Sequence, residues 1–165
     1  MSAPVKILVS VGTQFPFDRL VASIDAWASQ HPQLAEQILI QVGPGGRMPE
    51  HAQGVEFLDP ADYKQAAESA DVLVAHAGIG SILTATELGL PVIIFPRSFE
   101  LGEHRNDHQS STAREFSHRR GVYVATNDDE LYTLLAQRES LEKPANAHLD
   151  EDLANRIDRF IQGGL

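Results

Sequence analysis

A glycine-rich turn in the middle of the chain carries the residues best suited to bind an anion. The turn, Ala75-His76-Ala77-Gly78-Ile79-Gly80-Ser81, follows an apolar run from Val72 and precedes an apolar-periodic segment that ends at Gly89 and Pro91. This order predicts a strand, a turn and a helix. Backbone N–H groups at a helix N-terminus lack intrahelical acceptors and lie at the positive end of the macrodipole. The turn is therefore suited to the diphosphate of a nucleotide sugar.

The glycines alone leave two interpretations open, because small residues also let a helix pack closely against a strand. Three further polar features favour a ligand site. Glu87 lies on the predicted helix, where its carboxylate could accept hydrogen bonds from ribose hydroxyls. Arg97 follows the next strand, and His108 and Gln109 follow a polar loop. These side chains should meet at one edge of the fold.

The histidines have competing interpretations. His76 is a weak candidate for a general base, because a histidine at a strand end is more often a structural hydrogen-bonding residue. His104 and His108, with Asp107 and Glu100 nearby, could hold a metal only if the segment were helical. Because the His-Glu-x-x-His pattern is missing, we predict no metal site.

Composition narrows the class of protein. The chain has 165 residues, 42% of them hydrophobic, a formal net charge of −10 and no cysteine. One domain with one core over residues 1–165 is the simplest expectation. The acidic charge argues against a nucleic-acid surface. Since no long apolar segment stands at the N-terminus or elsewhere, we expect a cytoplasmic protein.

Apolar runs alternate with amphipathic segments along the chain, which predicts a doubly wound parallel α/β sheet. The predicted strands are Val5–Val11, Ile38–Val42, Val55–Leu58, Val72–Ala75, Pro91–Phe95 and Val122–Ala125. Predicted helices contain Leu20 to Ala28, Asp62 to Ser69, Ile82 to Leu88 and His108 to Phe116, and Asn127-Asp128-Asp129 caps another.

The C-terminal part is predicted to be a linker followed by one more helix. Residues 139–147 form the linker, and residues of about 149–162 form an amphipathic helix. Its apolar face could pack on the sheet of this chain or form part of a partner interface. Ligands of such sheets bind beyond the carboxyl ends of the strands, where Gly12-Thr13 and the His76 turn both lie.

Several motifs together carry a resemblance to a known family. The turn at 76–81, the Thr84–Glu87 segment, Gly89-Leu90-Pro91, Pro96, and Asp107-His108-Gln109 with Ala113 resemble the donor-binding C-terminal domain of glycosyltransferase family 28. The opening segment, Val11 to Val21, is similar to short stand-alone members. These are the PssE-type bacterial polysaccharide glycosyltransferases and the catalytic subunit of the eukaryotic split N-acetylglucosaminyltransferase.

The resemblance implies one Rossmann-like half of a GT-B-type enzyme. A separate membrane-anchored subunit would then bind the lipid-linked glycan acceptor, hold this chain at the inner face of the membrane and supply the general base. Carried over by motif, the donor-binding residues would be Gly12 and Thr13 near the phosphates, Gly78, Gly80 and Ser81 at the diphosphate, Glu87 at the ribose, and His108 and Gln109 at the sugar. His76 and Arg97 belong to the same predicted site, and the uracil is expected near the Phe95–Ser98 turn.

The expected activity is a UDP-sugar-dependent, inverting, metal-independent hexosyl transfer in polysaccharide biosynthesis, with no cofactor. Arg97 and Arg105 could simply be solvated. They could instead bind the extra carboxylate of UDP-glucuronate, since a bidentate arginine suits a carboxylate. Because the segment from Gly102 to Gln109 also resembles the PssE-type proteins, glucuronate is the first expectation for the sugar. The alternative function is a non-enzymatic nucleotide-sugar-binding module that regulates or scaffolds a partner.

Overall fold

A computed structural model describes residues 3–12, 15–98, 100–103 and 108–144 of the chain. Its strands are β1 (Ile7–Ser10), β2 (Ile38–Gln41), β3 (Gln53–Val55), β4 (Val72–Ala75), β5 (Val92–Ile94) and β6 (Val122–Val124). Its α-helices are α1 (Asp18–Gln30), α2 (Pro32–Ala35), α3 (Pro60–Ser69), α4 (Ile79–Leu88), α5 (His108–Phe116) and α6 (Asp128–Ala136). A 3-10 turn at Arg138–Ser140 follows α6.

The described strands form one sheet in the order β3-β2-β1-β4-β5-β6, and all neighbouring strands are parallel. The chain moves outward from β1 to β3, then returns to the other side of β1 with β4. The order therefore reverses between β1 and β4, where Ser10 pairs with Ala75. This topology confirms the predicted Rossmann-like, doubly wound α/β fold, and ligands are expected at this switch point.

The two central strands, β1 and β4, are buried along their whole length because helices cover both faces of the sheet. Ile7 and Val9 of β1 belong to one buried cluster, which also contains Trp27 of α1 and Leu131 of α6. Leu8 belongs to a second cluster, which takes in Ala66 and Ala67 of α3, Ile82 and Ala85 of α4 and Phe116 of α5. Successive strand residues thus enter opposite cores, so an alternating apolar and polar pattern is not expected.

The predicted third strand was placed too late in the chain. The structure has β3 at Gln53–Val55, whereas residues 57 and 58 lie beyond it. Asp25 on α1 explains the early start. Its carboxylate accepts hydrogen bonds from the N–H groups of Glu50, His51 and Ala52 at 2.9, 2.8 and 3.0 Å. These hydrogen bonds fix the segment that enters β3. Asp25 lies 25 or more residues before that segment in the sequence.

The following helix also begins earlier than predicted. Asp59 and Pro60 were interpreted as a strand break, but they form the start of α3. The Asp59 side chain accepts a hydrogen bond from Asp62 N at 2.8 Å, and Pro60 occupies the first helical position. Leu58 N donates instead to Gln41 Oε1 at 2.8 Å, which ends the strand pairing. The local signals were those of a helix start.

The C-terminal predictions are largely untested. The predicted helix at about 149–162 lies outside the described residues, as does residue 145 onward of the predicted linker. The single-domain prediction for residues 1–165 likewise stays a prediction. The Asn127 cap is present, because its side chain accepts a hydrogen bond from Glu130 N at 2.9 Å. In the described part of the chain, no helix is long and apolar enough to cross a membrane.

Replacing Asp25 with Asn should lower the free energy of unfolding by about 1 to 3 kcal/mol at neutral pH, because three backbone donors lose a charged acceptor. Burial raises the pKa of Asp25, but hydrogen bonds from Ala52, Glu50 and His51 outweigh it and leave the pKa below 3.8. Stabilisation by the carboxylate is therefore present above the unfolded-state pKa and is lost as the pH falls through the lowered native one.

Urea unfolding of the wild type and Asp25→Asn at pH values between about 7 and 3 measures this difference, which should shrink on acidification. Glu36→Gln, at an exposed position, is the matched control. A difference between wild type and Asp25→Asn that stays constant down to the lowest pH would contradict this account of the β3 entry.

Candidate functional site

A cavity of about 740 Å³ opens at the carboxyl ends of β1 and β4, where the strand order reverses. Eight of the sequence-predicted site residues line it: Gly12, His76, Gly78, Gly80, Ser81, Glu87, Arg97 and Gln109. His108, the first residue of α5, is absent from the described lining. Thr13 lies outside the described residues.

The N-terminus of α4 faces this cavity without a side-chain cap. Gly78 is the N-cap residue in an extended conformation, and no side chain accepts a hydrogen bond there. The first bond of the helical ladder runs from Ile82 N to Gly78 O at 3.4 Å. The N–H groups of Ile79, Gly80 and Ser81 therefore precede the ladder and point out of the positive end of the helix. This arrangement suits an anion.

The imidazole of His76 explains two of the glycine positions by packing. A Cβ on Gly12 would lie 2.8 Å from His76 Nε2, and a Cβ on Gly78 would lie 2.4 Å from His76 Cε1. Gly12 also has a φ of +91°, which disfavours other residues. A Cβ on Gly80 would meet no described atom within 4 Å. Of these three glycines, Gly80 is the one that packing among the described residues does not require.

The side-chain amide of Gln109 joins three parts of the site. Its Oε1 accepts hydrogen bonds from Arg97 N at 2.9 Å and from Ala77 N at 3.3 Å. Its Nε2 lies 2.9 Å from His76 Nδ1. The side chain is buried, with an exposure of 7%. The amide thereby connects the start of α5 to the segments that follow β4 and β5.

Arg97 is buried against the backbone rather than extended into the cavity. Its guanidinium donates to the carbonyl oxygens of Val11, Phe15 and Pro16, and more weakly to Glu103 O at 3.4 Å. The exposure of Arg97 is only 4%. Burial lowers the pKa of this guanidinium, and the negative charge of Glu103 opposes that effect. Arg97 thus ties the segment after β1 to the end of β5.

An ion pair between Arg19 and Glu103 is a second connection between the chain that follows β1 and the chain that follows β5. Arg19 Nε donates to both Glu103 carboxylate oxygens at 3.0 and 3.2 Å, and Arg19 Nη2 donates to Glu103 Oε1 and Pro96 O at 3.0 Å. The Arg19 guanidinium also lies 4.5 Å from the ring centroid of Phe95. Glu103 Oε1 in turn accepts a hydrogen bond from Ser98 N at 2.9 Å.

The hydrogen bonds made by Gln109 and Glu103 limit where a nucleobase could bind. The uracil was expected against the backbone of Phe95–Ser98, but the N–H groups of Arg97 and Ser98 already donate to Gln109 and Glu103. That turn therefore offers fewer backbone donors than the sequence suggested.

Sequence reasoning missed the far side of the cavity. Phe57, Leu58, Pro60 and Tyr63 line it together with the exposed Lys64. Phe57 has an exposure of 63%, which is high for an aromatic side chain at the edge of a cavity. Burial raises the pKa of the Tyr63 hydroxyl, and a hydrogen bond with the Ser10 side chain opposes this effect. These residues were missed because Phe57 and Leu58 were assigned to the third strand, which in fact ends at Val55.

The segment that was considered as a possible metal site is only partly described. His104 and Asp107 lie outside the described residues. Among the residues that are described, no group of three or more histidine or acidic side chains is placed to hold a metal ion.

Comparison with known proteins identifies the family. The family model described as the C-terminal domain of glycosyltransferase family 28 matches residues 6–160. This chain belongs to glycosyltransferase family 28. The human protein "UDP-N-acetylglucosamine transferase subunit ALG13" is 30% identical over 123 residues, which cover 70% of this chain and 10% of that protein. The mouse protein of the same name is 31% identical over 126 residues. The chain thus spans about a tenth of the length of these curated relatives.

Solved structures agree on the fold. The solution structure of ALG13 matches with a TM-score of 0.62 and 19% identity, covering 95% of this chain and 94% of that one. The crystal structure of the glycotransferase of kitacinnamycin matches with a TM-score of 0.60 and 19% identity, covering 98% of this chain but 39% of that one. The family 28 domain is thus the predicted Rossmann-like half of a GT-B fold.

The glycines of the turn should differ in their effect on stability. Gly78→Ala should lower the free energy of unfolding by about 1 to 3 kcal/mol, because the new Cβ collides with the His76 ring. Gly80→Ala should leave it unchanged or raise it by about 0.5 to 1 kcal/mol, since Gly80 lies in a helix with open space around it. Chemical denaturation of both variants measures this, and equal destabilisation would contradict the different packing of the two glycines against His76.

Arg97→Lys should lower the free energy of unfolding by about 2 to 4 kcal/mol, because an ammonium group cannot reach the carbonyl oxygens that the guanidinium fork satisfies. Arg114→Lys is the matched control, because Arg114 is exposed on α5, and its effect should stay within about 0.5 kcal/mol. Thermal or urea unfolding measures both. If Arg97→Lys were as stable as the control, Arg97 would not tie the segment after β1 to the end of β5.

Proposed function

We propose that this chain is the donor-binding, catalytic subunit of a two-component UDP-sugar glycosyltransferase that acts on a lipid-linked acceptor in polysaccharide biosynthesis. The observation that carries the proposal is the uncapped N-terminus of α4 in the same cavity as Glu87. The N-terminus of α4 offers unpaired N–H groups to phosphates, and Glu87 of the same helix offers a carboxylate to hydroxyl groups. Membership of family 28 and similarity to ALG13 support it.

The cavity-lining face of α4 has the length of a nucleoside diphosphate. Gly80, Thr84 and Glu87 all line the cavity at helical spacing, and the rise per residue places Gly80 and Glu87 about 10 Å apart along the axis. The diphosphate would bind at Gly80 and Ser81, with the ribose at Glu87. With the phosphates and the ribose bound in this order, the uracil would lie at the far side of the cavity, near Phe57.

We place the uracil against Phe57 rather than against the Phe95–Ser98 turn. Phe57, Pro60 and Tyr63 supply an apolar and aromatic surface on that far side. An exposed aromatic ring gains about 1 to 3 kcal/mol from stacking on a base. The backbone donors of the alternative turn are engaged by Gln109 and Glu103.

The chemistry needs charge stabilisation on the leaving group. The acceptor hydroxyl oxygen attacks C1 of the donor sugar, the bond from C1 to the β-phosphate oxygen breaks, and its electron pair goes to the departing UDP. The N–H groups at the α4 N-terminus would stabilise that charge without a metal ion. Attack from the side opposite the leaving group gives inversion.

The base that removes the acceptor proton should come from a partner subunit. Among the described residues that line the cavity, Glu87 is the sole carboxylate, and it is assigned to the ribose. His76 Nδ1 is engaged by Gln109. A membrane-anchored partner that binds the acceptor would complete the site and hold this chain at the cytoplasmic face of the membrane.

The same observation is what a non-enzymatic nucleotide-sugar-binding module would show, so this remains the second candidate. Assays of sugar transfer with the chain alone and in membranes that contain its partner separate the two. Transfer that requires both components supports the enzyme, and binding without transfer in either preparation supports the module.

The identity of the donor sugar depends on whether the site contains an arginine that can bind a sugar carboxylate. Glucuronate was expected because Arg97 could bind its carboxylate, but the Arg97 guanidinium donates to backbone carbonyl oxygens. What is left to support glucuronate is the resemblance of the 102–109 segment to PssE-type proteins and Arg105, which lies outside the described residues. The name of the ALG13 relatives favours N-acetylglucosamine. Competition of both UDP-sugars against UDP tests the choice.

Calorimetric titration with UDP should show saturable binding to the wild type, and Glu87→Gln should weaken it by about tenfold or more, because ribose hydroxyls lose a charged acceptor. Glu139→Gln, exposed at the opposite edge of the sheet, is the control and should bind as the wild type does. If UDP does not bind, or if Glu87→Gln binds equally well, the proposed site is wrong.

A further inference from the structure

The side-chain amide of Gln41 has a fixed orientation in the cavity. Leu58 N lies 2.8 Å from one atom of that amide. Because a backbone N–H can only donate, this atom is the amide oxygen, Oε1, and the NH2 group is on the other side of the amide. Gln41 is the last residue of β2, and its exposure is only 5%. The amide is therefore held in place by the protein itself.

The NH2 group of Gln41 still has donors to offer. In the part of the chain that the structure describes, Gln41 Nε2 has no hydrogen-bond partner. It is also not among the fully buried polar atoms without a partner in that part of the chain. The accessible surface of Nε2 must therefore open into the cavity that Gln41 lines. A fixed donor in a largely apolar cavity is suited to orient a ligand that carries an acceptor.

The position of Gln41 in the sheet corresponds to the base of the ligand rather than to its phosphates. Gln41 pairs with Ser10 of β1, and Ser10 pairs with Ala75 at the end of β4. Two strand spacings, about 10 Å, therefore separate Gln41 from the strand that leads to the phosphate-binding helix. Leu58, which fixes the amide, directly follows Phe57 in the chain. The amide thus lies beside the surface assigned to the uracil.

We infer that Gln41 is a specificity-determining residue: its NH2 group donates to O4 of the base and so selects a 4-keto pyrimidine over a 4-amino pyrimidine. Uracil, like thymine, presents the acceptor O4 on the side of the ring away from the ribose, where cytosine presents the donor N4. Two facing donors form no hydrogen bond, so cytosine would leave both groups unpaired. The inference rests on the proposed function, which places a nucleotide in this cavity.

The neighbouring polar side chains are less suited to read the base. The Tyr63 hydroxyl already has a hydrogen bond with the Ser10 side chain. Lys64 is exposed, and its ammonium group lies 4.0 Å from the carboxylate of Glu68. An ammonium group on a flexible stem discriminates less between ligand groups than an amide whose orientation is fixed by the backbone.

The affinities for UDP and CDP test the inference, because the two nucleotides differ only at position 4 of the base and in the proton on N3. Calorimetric titration of the wild type should show UDP bound about tenfold or more tighter than CDP. In Gln41→Glu one carboxylate oxygen can still accept from Leu58 N, and the other becomes an acceptor for the cytosine amino group. The preference should therefore invert, with CDP bound more tightly than UDP.

Gln30→Glu is the matched control, because it adds the same charge at an exposed position at the end of α1. It should keep the wild-type ratio of the two affinities. The comparison uses this ratio, so a general loss of affinity caused by the added negative charge cancels.

A second measurement needs no variant. In ¹⁵N-labelled wild-type protein, the side-chain NH2 signals of Gln41 should shift downfield on saturation with UDP. Uridine should produce the same shift, because O4 belongs to the base and not to the phosphates. The absence of a downfield shift with UDP would overturn the inference.

The outcomes distinguish this inference from the proposed function. If UDP does not bind the wild type, the proposed function is wrong and the inference falls with it. If the wild type binds UDP and CDP equally well, or if Gln41→Glu keeps the preference for UDP, the nucleotide site stands and Gln41 does not select the base. If Gln41→Glu does not fold, the wild-type affinity ratio and the NH2 shift decide.

Discussion

The carboxyl edge of the sheet depends on the buried amide of Gln109. Six parallel strands bring several loops to one edge, but the sheet by itself does not fix how those loops lie relative to one another. The Gln109 amide contacts Ala77, Arg97 and His76, which belong to the segments after β4 and β5. One side chain therefore sets the orientation of the histidine and the position of two backbone segments. Because it is buried, its hydrogen bonds are not exchanged readily with water.

The guanidinium groups of Arg97 and Arg19 extend this network to the segment after β1. Arg97 satisfies carbonyl oxygens of Val11, Phe15 and Pro16, and Arg19 is paired with Glu103. These positive charges thus hold the site together. The proposed function accordingly assigns the diphosphate to the N–H groups at the start of α4 and not to these two arginines.

The sequence was sufficient for the central strand, turn and helix, whose signals are local, although the equally local helix start at Asp59 and Pro60 was misinterpreted. The strand, turn and helix from Val72 to Leu88 were predicted because apolar runs, glycines and a closing Gly89 are adjacent in the chain. The doubly wound topology followed from the alternation of such segments. Glu87 was singled out because it lies on the helix that opens at the turn, and it does line the cavity.

What the sequence could not show depends on contacts between distant segments. The start of β3 is fixed by Asp25 from α1, so the run that contains Phe57 was assigned to the wrong element. Gly78 was predicted to approach the diphosphate, and the sequence could not show that the His76 ring also excludes a side chain at this position. Arg97 looked like a ligand for a sugar carboxylate, although its partners are carbonyl oxygens of a segment about 80 residues earlier.

The central claim is that the N-terminus of α4 binds the diphosphate of a UDP-sugar. Titrating ¹⁵N-labelled protein with UDP and, separately, with uridine tests it most directly, because only UDP carries the diphosphate. The account predicts saturable shifts of the Ile79, Gly80 and Ser81 amide signals with UDP that uridine does not reproduce. Shifts of equal size with both ligands, or UDP shifts confined to other parts of the chain, would contradict it.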